Sequence, residues 1–272
     1  MCSQVRIIVL ILFVILGFCG QGISQKVYRV PNTQRYFVGI KGGLLASWST
    51  FRDPDLKSTF SSTPIGGFHV AGLINFSLKK NYSFQTEFGF SQMGRKVIFN
   101  SGTWTNTSTY HFLDFSMMLR RSFRLKIGKD IPANWYVNIG PNIKYWLNGS
   151  GNIVSLGSQS YTIAFSGTPK GEYDKLYYMD VNRWIFGLDF GLGANLGTLK
   201  GQQVMAEVRF TYGQTYLGNK NSVTSSSINL LGYDDSLLFN LKVISVTLAY
   251  TLDFYTGQSK MGKSNFEKSK KK

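Results

Sequence analysis

Strict alternation of large apolar residues with small or polar ones recurs along this chain and is the feature that most constrains its fold. The clearest case runs from Ile244 to Phe254, where every second residue is large and apolar. A period of two indicates a β-strand with one face in apolar surroundings, and helical periodicity is not seen after residue 25. Seven earlier segments alternate in the same way: 36–48, 68–78, 82–90, 113–123, 135–147, 184–192 and 204–212.

The connections between these eight segments alternate between long and short. Those at 49–64, 100–109, 149–182 and 217–236 are long and polar, whereas those at 79–81, 125–134 and 197–202 are turns. Four long loops at one rim and three turns at the other are the layout of an outer-membrane barrel, in which the turns face the periplasm. An even number of strands places both termini on the periplasmic side.

The direction of the apolar face separates a membrane barrel from a soluble one, because a soluble barrel such as a lipocalin alternates too. The apolar faces carry about 40 large side chains, whereas the interior of an eight-stranded barrel is only just wide enough for side chains to fill it. The bulky face must therefore point outward into lipid, and closure satisfies every backbone group there. The predicted fold class is all-β, an eight-stranded antiparallel up-and-down transmembrane β-barrel of the OmpA/OmpX type.

Composition supports this prediction. Charged residues make up 16% of the chain, against about 25% in a typical soluble domain. Aromatic residues mark the strand ends, as expected of the girdles at the two membrane interfaces. They are Tyr36, Trp48, Tyr82, Tyr110, Trp135, Trp184, Tyr212, Phe254 and Tyr255.

The two ends of the chain predict segments outside the barrel, which we expect at 36–254. Residues 1–24 read as a signal peptide, with Arg6 before an apolar run from Ile7 to Phe18. That run is too short for a membrane-spanning helix. Both cysteines, Cys2 and Cys19, lie in this segment, so the predicted mature chain has no disulfide or thiolate chemistry. Residues 25–35 form a periplasmic lead. Residues 255–272 form a disordered, basic periplasmic tail with six lysines.

The inward phases of the strands carry nine charged residues in a narrow lumen. Unpaired charges there would be costly, so we expect a plug of ion pairs and no open channel. A path for protons or a small solute is the functional alternative. The predicted network comprises Lys41, Glu87, Arg95, Asp114, Arg120, Lys144, Asp189, Glu207 and Arg209.

Catalysis is a second hypothesis, since some outer-membrane barrels are hydrolases or acyltransferases. A serine nucleophile needs a histidine base, and only His69 and His111 are present in the chain. Nothing in their spacing selects a triad, a metal site or a cofactor site, and the glycines form no phosphate loop. We therefore predict no enzyme activity, no metal and no cofactor. A narrow pore is a third hypothesis. Loop 149–182 suggests an adhesive or partner-binding surface, and the alternative is a β-extension of the fifth and sixth strands beyond the membrane.

Several strands resemble the PorT-type outer-membrane β-barrel family of Bacteroidetes. The resemblance lies in Y-F-V-G-I-K-G-G-L at 36–44, G-F-H-V-A-G-L at 67–73, F-Q-T-E-F-G-F-S-Q-M-G-R-K at 84–96, Y-H-F-L-D-F-S-M-M-L-R at 110–120 and W-Y-V-N-I-G-P-N at 135–142. The family often has Pro where this chain has Ser116. A tail follows Phe254, whereas the signal read by the barrel-insertion machinery commonly ends the chain.

The resemblance implies a bacterial outer-membrane protein without catalytic residues. Founding members are tied to protein export and gliding by the type IX secretion system, so an accessory role in that system is the sharper expectation. Expected partners are outer-membrane lipid and lipopolysaccharide, the barrel-insertion machinery, and secretion-system or surface proteins. Export excludes nucleic acid as a partner despite the net charge of +16.

Overall fold

A computed structural model of the chain describes residues 34–52, 54–79, 81–99, 102, 104–127, 131–155, 157–165, 175–199, 202–226 and 237–256. The predicted signal peptide, most of the predicted lead and nearly all of the predicted tail lie outside these residues. In the described part, the elements in chain order are β1 (Gln34–Phe51), α1 (Pro54–Thr59), β2 (Phe60–Thr63), β3 (Ile65–Lys79), β4 (Tyr82–Phe99), β5 (Thr105–Ile127), β6 (Ile131–Val154), β7 (Ser158–Phe165), β8 (Lys175–Val181), β9 (Trp184–Leu199), β10 (Gln202–Gly213), β11 (Gly218–Ser226) and β12 (Phe239–Thr256).

Eight of these strands pair in a closed cycle. The order is β1–β3–β4–β5–β6–β9–β10–β12, and β12 pairs again with β1, antiparallel at every step. The closing pair is long, running from Gln34 opposite Thr256 to Phe51 opposite Phe239. Closure leaves no free edge in the ring, which is what hydrocarbon requires of a sheet.

The ring has the predicted eight strands, but the described residues form twelve strands in all, because four more pair outside the ring. β2 pairs with β4, β7 with β6, β8 with β7 and β11 with β8. The β7–β8 pair is parallel, so the sheet is not antiparallel throughout. The extra strands lie within segments predicted as long loops, since the alternation there is weaker and the residues are mostly polar. Among the described residues, no helix is long and apolar enough to cross a membrane.

The alternation of side chains divides the ring into an outer apolar face and an inner face. On β1, Ile40 and Leu44 are 70% and 74% exposed, while Lys41 between them is 3% exposed. On β12, Ile244, Val246 and the following alternate residues to Phe254 are exposed in the same way. A water-soluble barrel would show the opposite arrangement, so the outer face is the lipid-facing one.

The interior changes character along the barrel axis. Toward the turns and through the middle, the buried side chains are largely polar or charged, whereas toward the long connections they form an apolar and aromatic core. Tyr110, predicted at the membrane interface, is fully buried in this core. That prediction was wrong because residues 110–113 are all bulky. The size of a side chain therefore does not show here which residues point outward.

Candidate functional site

The ring strands place all nine of the predicted lumen charges inside the barrel. Each lies on the inward phase of its strand, from Lys41 on β1 to Arg209 on β10, and eight of them are 5% exposed or less. They form two ion-paired clusters, and one further cation is embedded among aromatic rings. What each group can do follows from these surroundings.

The central cluster is organised around Arg209. Its guanidinium lies 2.7 Å from Glu87, 2.6 Å from Glu207 and 3.4 Å from Asp189. Lys41 completes the bridge between the two glutamates, with its Nζ 3.1 Å from Glu87 and 2.7 Å from Glu207. Glu207 and Arg209 are two residues apart on β10, so the period of two alone puts them on the same face.

Arg120 joins this cluster from the turn side. One guanidinium nitrogen lies 3.8 Å from Glu207 and also donates to Gln85. The guanidinium carbon lies 3.8 Å above the ring centroid of Tyr136, and the Tyr136 hydroxyl donates to Glu207 at 3.2 Å. A cation held against an aromatic face and a carboxylate is fixed in position.

The central cluster is electrically balanced, with the carboxylates of Glu87, Asp189 and Glu207 facing Lys41, Arg120 and Arg209. Neutral groups supply further bonds to the acids: Thr211 donates to Asp189 at 2.6 Å and Asn138 to Glu207 at 2.9 Å. Buried charges persist only when they are paired and hydrogen-bonded in this way. The arrangement fills the middle of the lumen with ion pairs and hydrogen bonds.

A second, smaller cluster lies toward the long connections. The Asp114 carboxylate is 3.2 Å from Nζ of Lys144 and 3.3 Å from Nδ1 of His69. Between this cluster and the central one is a cavity of about 20 Å³, lined among others by His69, Lys144 and Arg209. A cavity of this size holds about one water molecule and has no room for an organic substrate.

Arg95 stands apart from both clusters. It is fully buried, its guanidinium carbon lies 3.8 Å from the ring centroid of Phe239, and Nε donates to the Tyr110 hydroxyl at 3.1 Å. These rings belong to the apolar core at the loop end, which also contains Trp146 packed edge-on against Tyr110 at 5.2 Å. The sequence alone did not lead us to predict this core. Bulky residues at inward-facing positions of the strands, such as Phe112 and Trp146, are the feature that indicates it.

The central cluster packs the middle of the lumen tightly. The layer lined by Lys41, Gln85, Arg120 and Glu207 encloses no space for a water molecule. On its turn side lies a vestibule of about 120 Å³, lined in part by Asn75, Asn81 and Gln203 and reaching Arg120. The lumen is therefore filled at the central cluster, and the aromatic core covers it toward the loops.

The two histidines lie on opposite faces of the sheet. His69 is inside with Asp114, whereas His111 is on the outer face, stacked on Phe90 at 5.7 Å with Nδ1 2.6 Å from Oδ1 of Asn148. A β-bulge lies opposite His111 and Phe112 on β6, where Leu147 is the extra residue. The histidines cannot share a ligand, and no group of three metal-ligating side chains occurs in the ranges that the structure describes.

The predicted interfacial aromatics lie near two levels. Tyr36 and Phe254 stack at 5.7 Å where β1 and β12 pair at the turn end. Tyr82 is the first residue of β4, and Trp135 lies near the start of β6. Trp184 contacts Tyr145 at 4.8 Å near the loop end. Trp48, opposite Lys242, is half-buried, and the side chain of Tyr255 lies outside the described residues.

Comparison with solved structures finds barrels of the outer membrane. OprG from Pseudomonas aeruginosa is 10% identical with a TM-score of 0.46, covering 82% of this chain and 97% of its own. Neisserial surface protein A is 8% identical with a TM-score of 0.40, covering 80% and 97%. Ail, the attachment invasion locus protein of Yersinia pestis, is 13% identical with a TM-score of 0.34, covering 80% and 98%.

A search of the curated proteins finds no match. The model of the family described as outer membrane protein beta-barrel domain matches residues 23–217, which is well over half of the 272 residues. The match spans the ring strands from β1 to β10 and therefore all six residues of the central cluster and the cluster around Asp114. With its closed ring, lipid-facing apolar surface and filled lumen, this chain belongs to the outer membrane protein β-barrel domain family.

Proposed function

We propose that this protein is a non-enzymatic, non-conducting outer-membrane barrel whose β-structured loop end serves as a docking surface at the cell surface. The observation that carries the proposal is the filled lumen. Three acids and three bases close its middle, and an aromatic core closes its loop end. Because the described lumen residues leave no space for a water molecule at the central cluster, we assign the function to the part that projects beyond the membrane.

The projecting part is a sheet rather than a set of loose loops. β5 extends from Leu113, in the apolar band, eight residues further to Thr105, which is about 27 Å of strand at 3.4 Å per residue. β6 follows it to Val154, and β7 and β8 add to its edge. Trp146, Phe165 and Tyr178 pack together beneath them. A stiff platform of this kind presents its outer residues in fixed positions, as a binding surface requires.

The orientation is part of the proposal: the loop end faces the exterior and both termini face the periplasm. Because Cys2 and Cys19 are the only cysteines and lie in the predicted signal peptide, single-cysteine variants report orientation directly. We expect Ser160→Cys, on exposed β7, to react with a membrane-impermeant maleimide in intact cells. Asn81→Cys, at the exposed β3–β4 turn, should react only after lysis. The reverse pattern would refute the orientation and the docking role together.

A finer proposal is that the barrel is a PorT-type protein of Bacteroidetes and an accessory of type IX secretion. It is supported by the resemblance of the strands at 36–44 and 84–96, and its partners would be secretion-system proteins, with barrel-insertion machinery needed for assembly. Deleting the gene should then retain secreted cargo in the periplasm. Unchanged cargo release would remove this finer role and leave a structural or adhesive one.

A further inference from the structure

The outer face of β4–β7 changes abruptly in chemistry at one level. The row Phe90–Leu113–Tyr145, continued by Trp184, consists of apolar and aromatic residues paired across the strands. Two residues further along β4 and β5, and three along β6 because of the bulge, the row becomes Gln92, His111 and Asn148. An apolar row with aromatic ends marks the edge of the hydrocarbon layer, so residues beyond it lie at the depth of the lipid headgroups and sugars.

In the next two rows that the registers give, six of the nine outward residues carry hydroxyls or amides. The strand registers place Lys96, Thr107, Asn152 and Ser160 side by side in one row. The row next to it holds Gly94, Thr109, Ser150 and Thr162, with Lys175 of β8 opposite Thr162. We call these residues from Lys96 to Lys175 the hydroxyl face.

The hydroxyl face points away from the core, as its neighbours along each strand show. Arg95 precedes Lys96, Ser108 lies between Thr107 and Thr109, and Tyr161 lies between Ser160 and Thr162; all three of these neighbours are buried. The face also contains a groove of about 440 Å³, lined by Thr107, Thr109, Ser150, Asn152, Ser160 and Thr162 together with Gly151 and Tyr161. That volume is within the range of small-molecule sites.

The chemistry of the face selects its partner. A hydroxyl offers one donor and two acceptor positions, and an amide offers both functions, so a flat array of them matches a polyol and cannot be satisfied by acyl chains. The two rows contain two lysines and no acidic residue, which suits a phosphorylated sugar. They contain no Trp, Tyr or Arg anchor on the outward side, whereas protein interfaces usually depend on such anchors.

We propose that the hydroxyl face binds the core saccharide of lipopolysaccharide in the outer leaflet of the same membrane. The lipid tails lie against the apolar band below Phe90 and Leu113, and the sugars rise from that level alongside the two rows. Lys96 and Lys175 meet the phosphates at either side. This inference rests on the proposed orientation, because only the outer leaflet carries such sugars.

The test uses the full chain in detergent and measures binding of rough lipopolysaccharide, which carries lipid A and core sugars, by native mass spectrometry. Lipid A alone and free core oligosaccharide serve as comparison probes. The triple variant Thr107→Ala, Ser150→Ala, Thr162→Ala removes hydroxyls from the groove. We expect it to bind rough lipopolysaccharide at least about tenfold more weakly, since each lost hydrogen bond contributes modestly. Free core oligosaccharide should compete with binding to the unaltered protein.

A matched control removes hydroxyls elsewhere at the loop end. Ser61→Ala with Ser155→Ala alters two exposed serines outside the groove and should leave binding unchanged. On electrophoresis, a folded barrel in an unheated sample migrates differently from the same protein after boiling. Retention of this heat-shifted band shows that each variant is folded. Equal binding by the triple variant and the control would overturn the proposal, and so would equal affinity for lipid A and rough lipopolysaccharide. If Ser160→Cys is labelled in intact cells but the binding measurements contradict the proposal, the docking role stands. Only the assignment of the saccharide as the ligand is then refuted.

Discussion

Replacing Arg209 with methionine is the sharpest perturbation of the lumen. Methionine keeps an unbranched side chain of similar reach but removes the charge that faces Glu87, Glu207 and Asp189. Four of the five nitrogen–oxygen distances lost are between 2.6 and 2.7 Å, and the fifth is 3.4 Å. Three carboxylates are then left with two cations, Lys41 and Arg120, in a site closed to water.

The expected cost follows from that imbalance. Removing one partner of a buried ion pair typically destabilises a protein by about 3–5 kcal/mol, because the other charge remains buried without compensation. With a denaturant slope of about 2 kcal/mol per molar urea, the unfolding midpoint should fall by about 2 M. Most of this loss should reflect the uncompensated carboxylates rather than lost packing.

The assay is urea unfolding of the barrel in lipid vesicles, followed by tryptophan fluorescence and by loss of the heat-shifted band. Arg121→Met is the matched control, because Arg121 is the exposed neighbour of Arg120 on β5 and lies 5.8 Å from the Tyr82 ring. An exposed charge of this kind contributes about 1 kcal/mol or less. Restoring balance in Arg209→Met with Glu87→Gln should recover part of the lost stability.

Two results would refute the reasoning. One is an Arg209→Met protein that unfolds at the same urea concentration as Arg121→Met, because the central cluster would then contribute no more than a surface charge. The other is additivity of Arg209→Met and Glu87→Gln, because residues in direct contact should couple.

Three further predictions concern other parts of the barrel. The unaltered protein should give no conductance steps in a planar bilayer, since the central cluster encloses no space for water; a steady ohmic conductance would contradict the filled lumen. Trp146→Ala should cost about 3–5 kcal/mol locally and speed proteolysis of the loop end without loss of the heat-shifted band, whereas protection equal to that of Leu147→Ala would argue against an aromatic core. Gly193→Val should lower stability by about 1–3 kcal/mol in urea unfolding, because a Cβ there would lie 2.3 Å from Cζ of Tyr136. A Cβ at Gly193 would also lie 2.6 Å from the backbone oxygen of Ala206. Gly72→Val is its control, with the nearest atom at 3.9 Å, and equal midpoints would contradict tight packing around Gly193.

Much of the barrel could be predicted from alternation, because a period of two in a closed sheet assigns each residue to one face. Lys41 and Glu207 fall on inward phases by counting alone, and so do their neighbours in the central cluster. Their pairing could not be predicted, since Lys41 and Glu207 are 166 residues apart and meet only through the stagger of the ring. The loop-end core was missed because Phe112 and Trp146 adjoin bulky outward residues.

The sequence by itself determined that this chain is a β-barrel with a lipid-facing surface, because the volume of its alternating apolar residues exceeds what so narrow an interior can hold. Only the tertiary structure decided which parts of the long connections add strands to the sheet, and that β7 and β8 run parallel. Those outcomes depend on strand register. Register is a property of pairs of strands, and no single strand's alternation contains it.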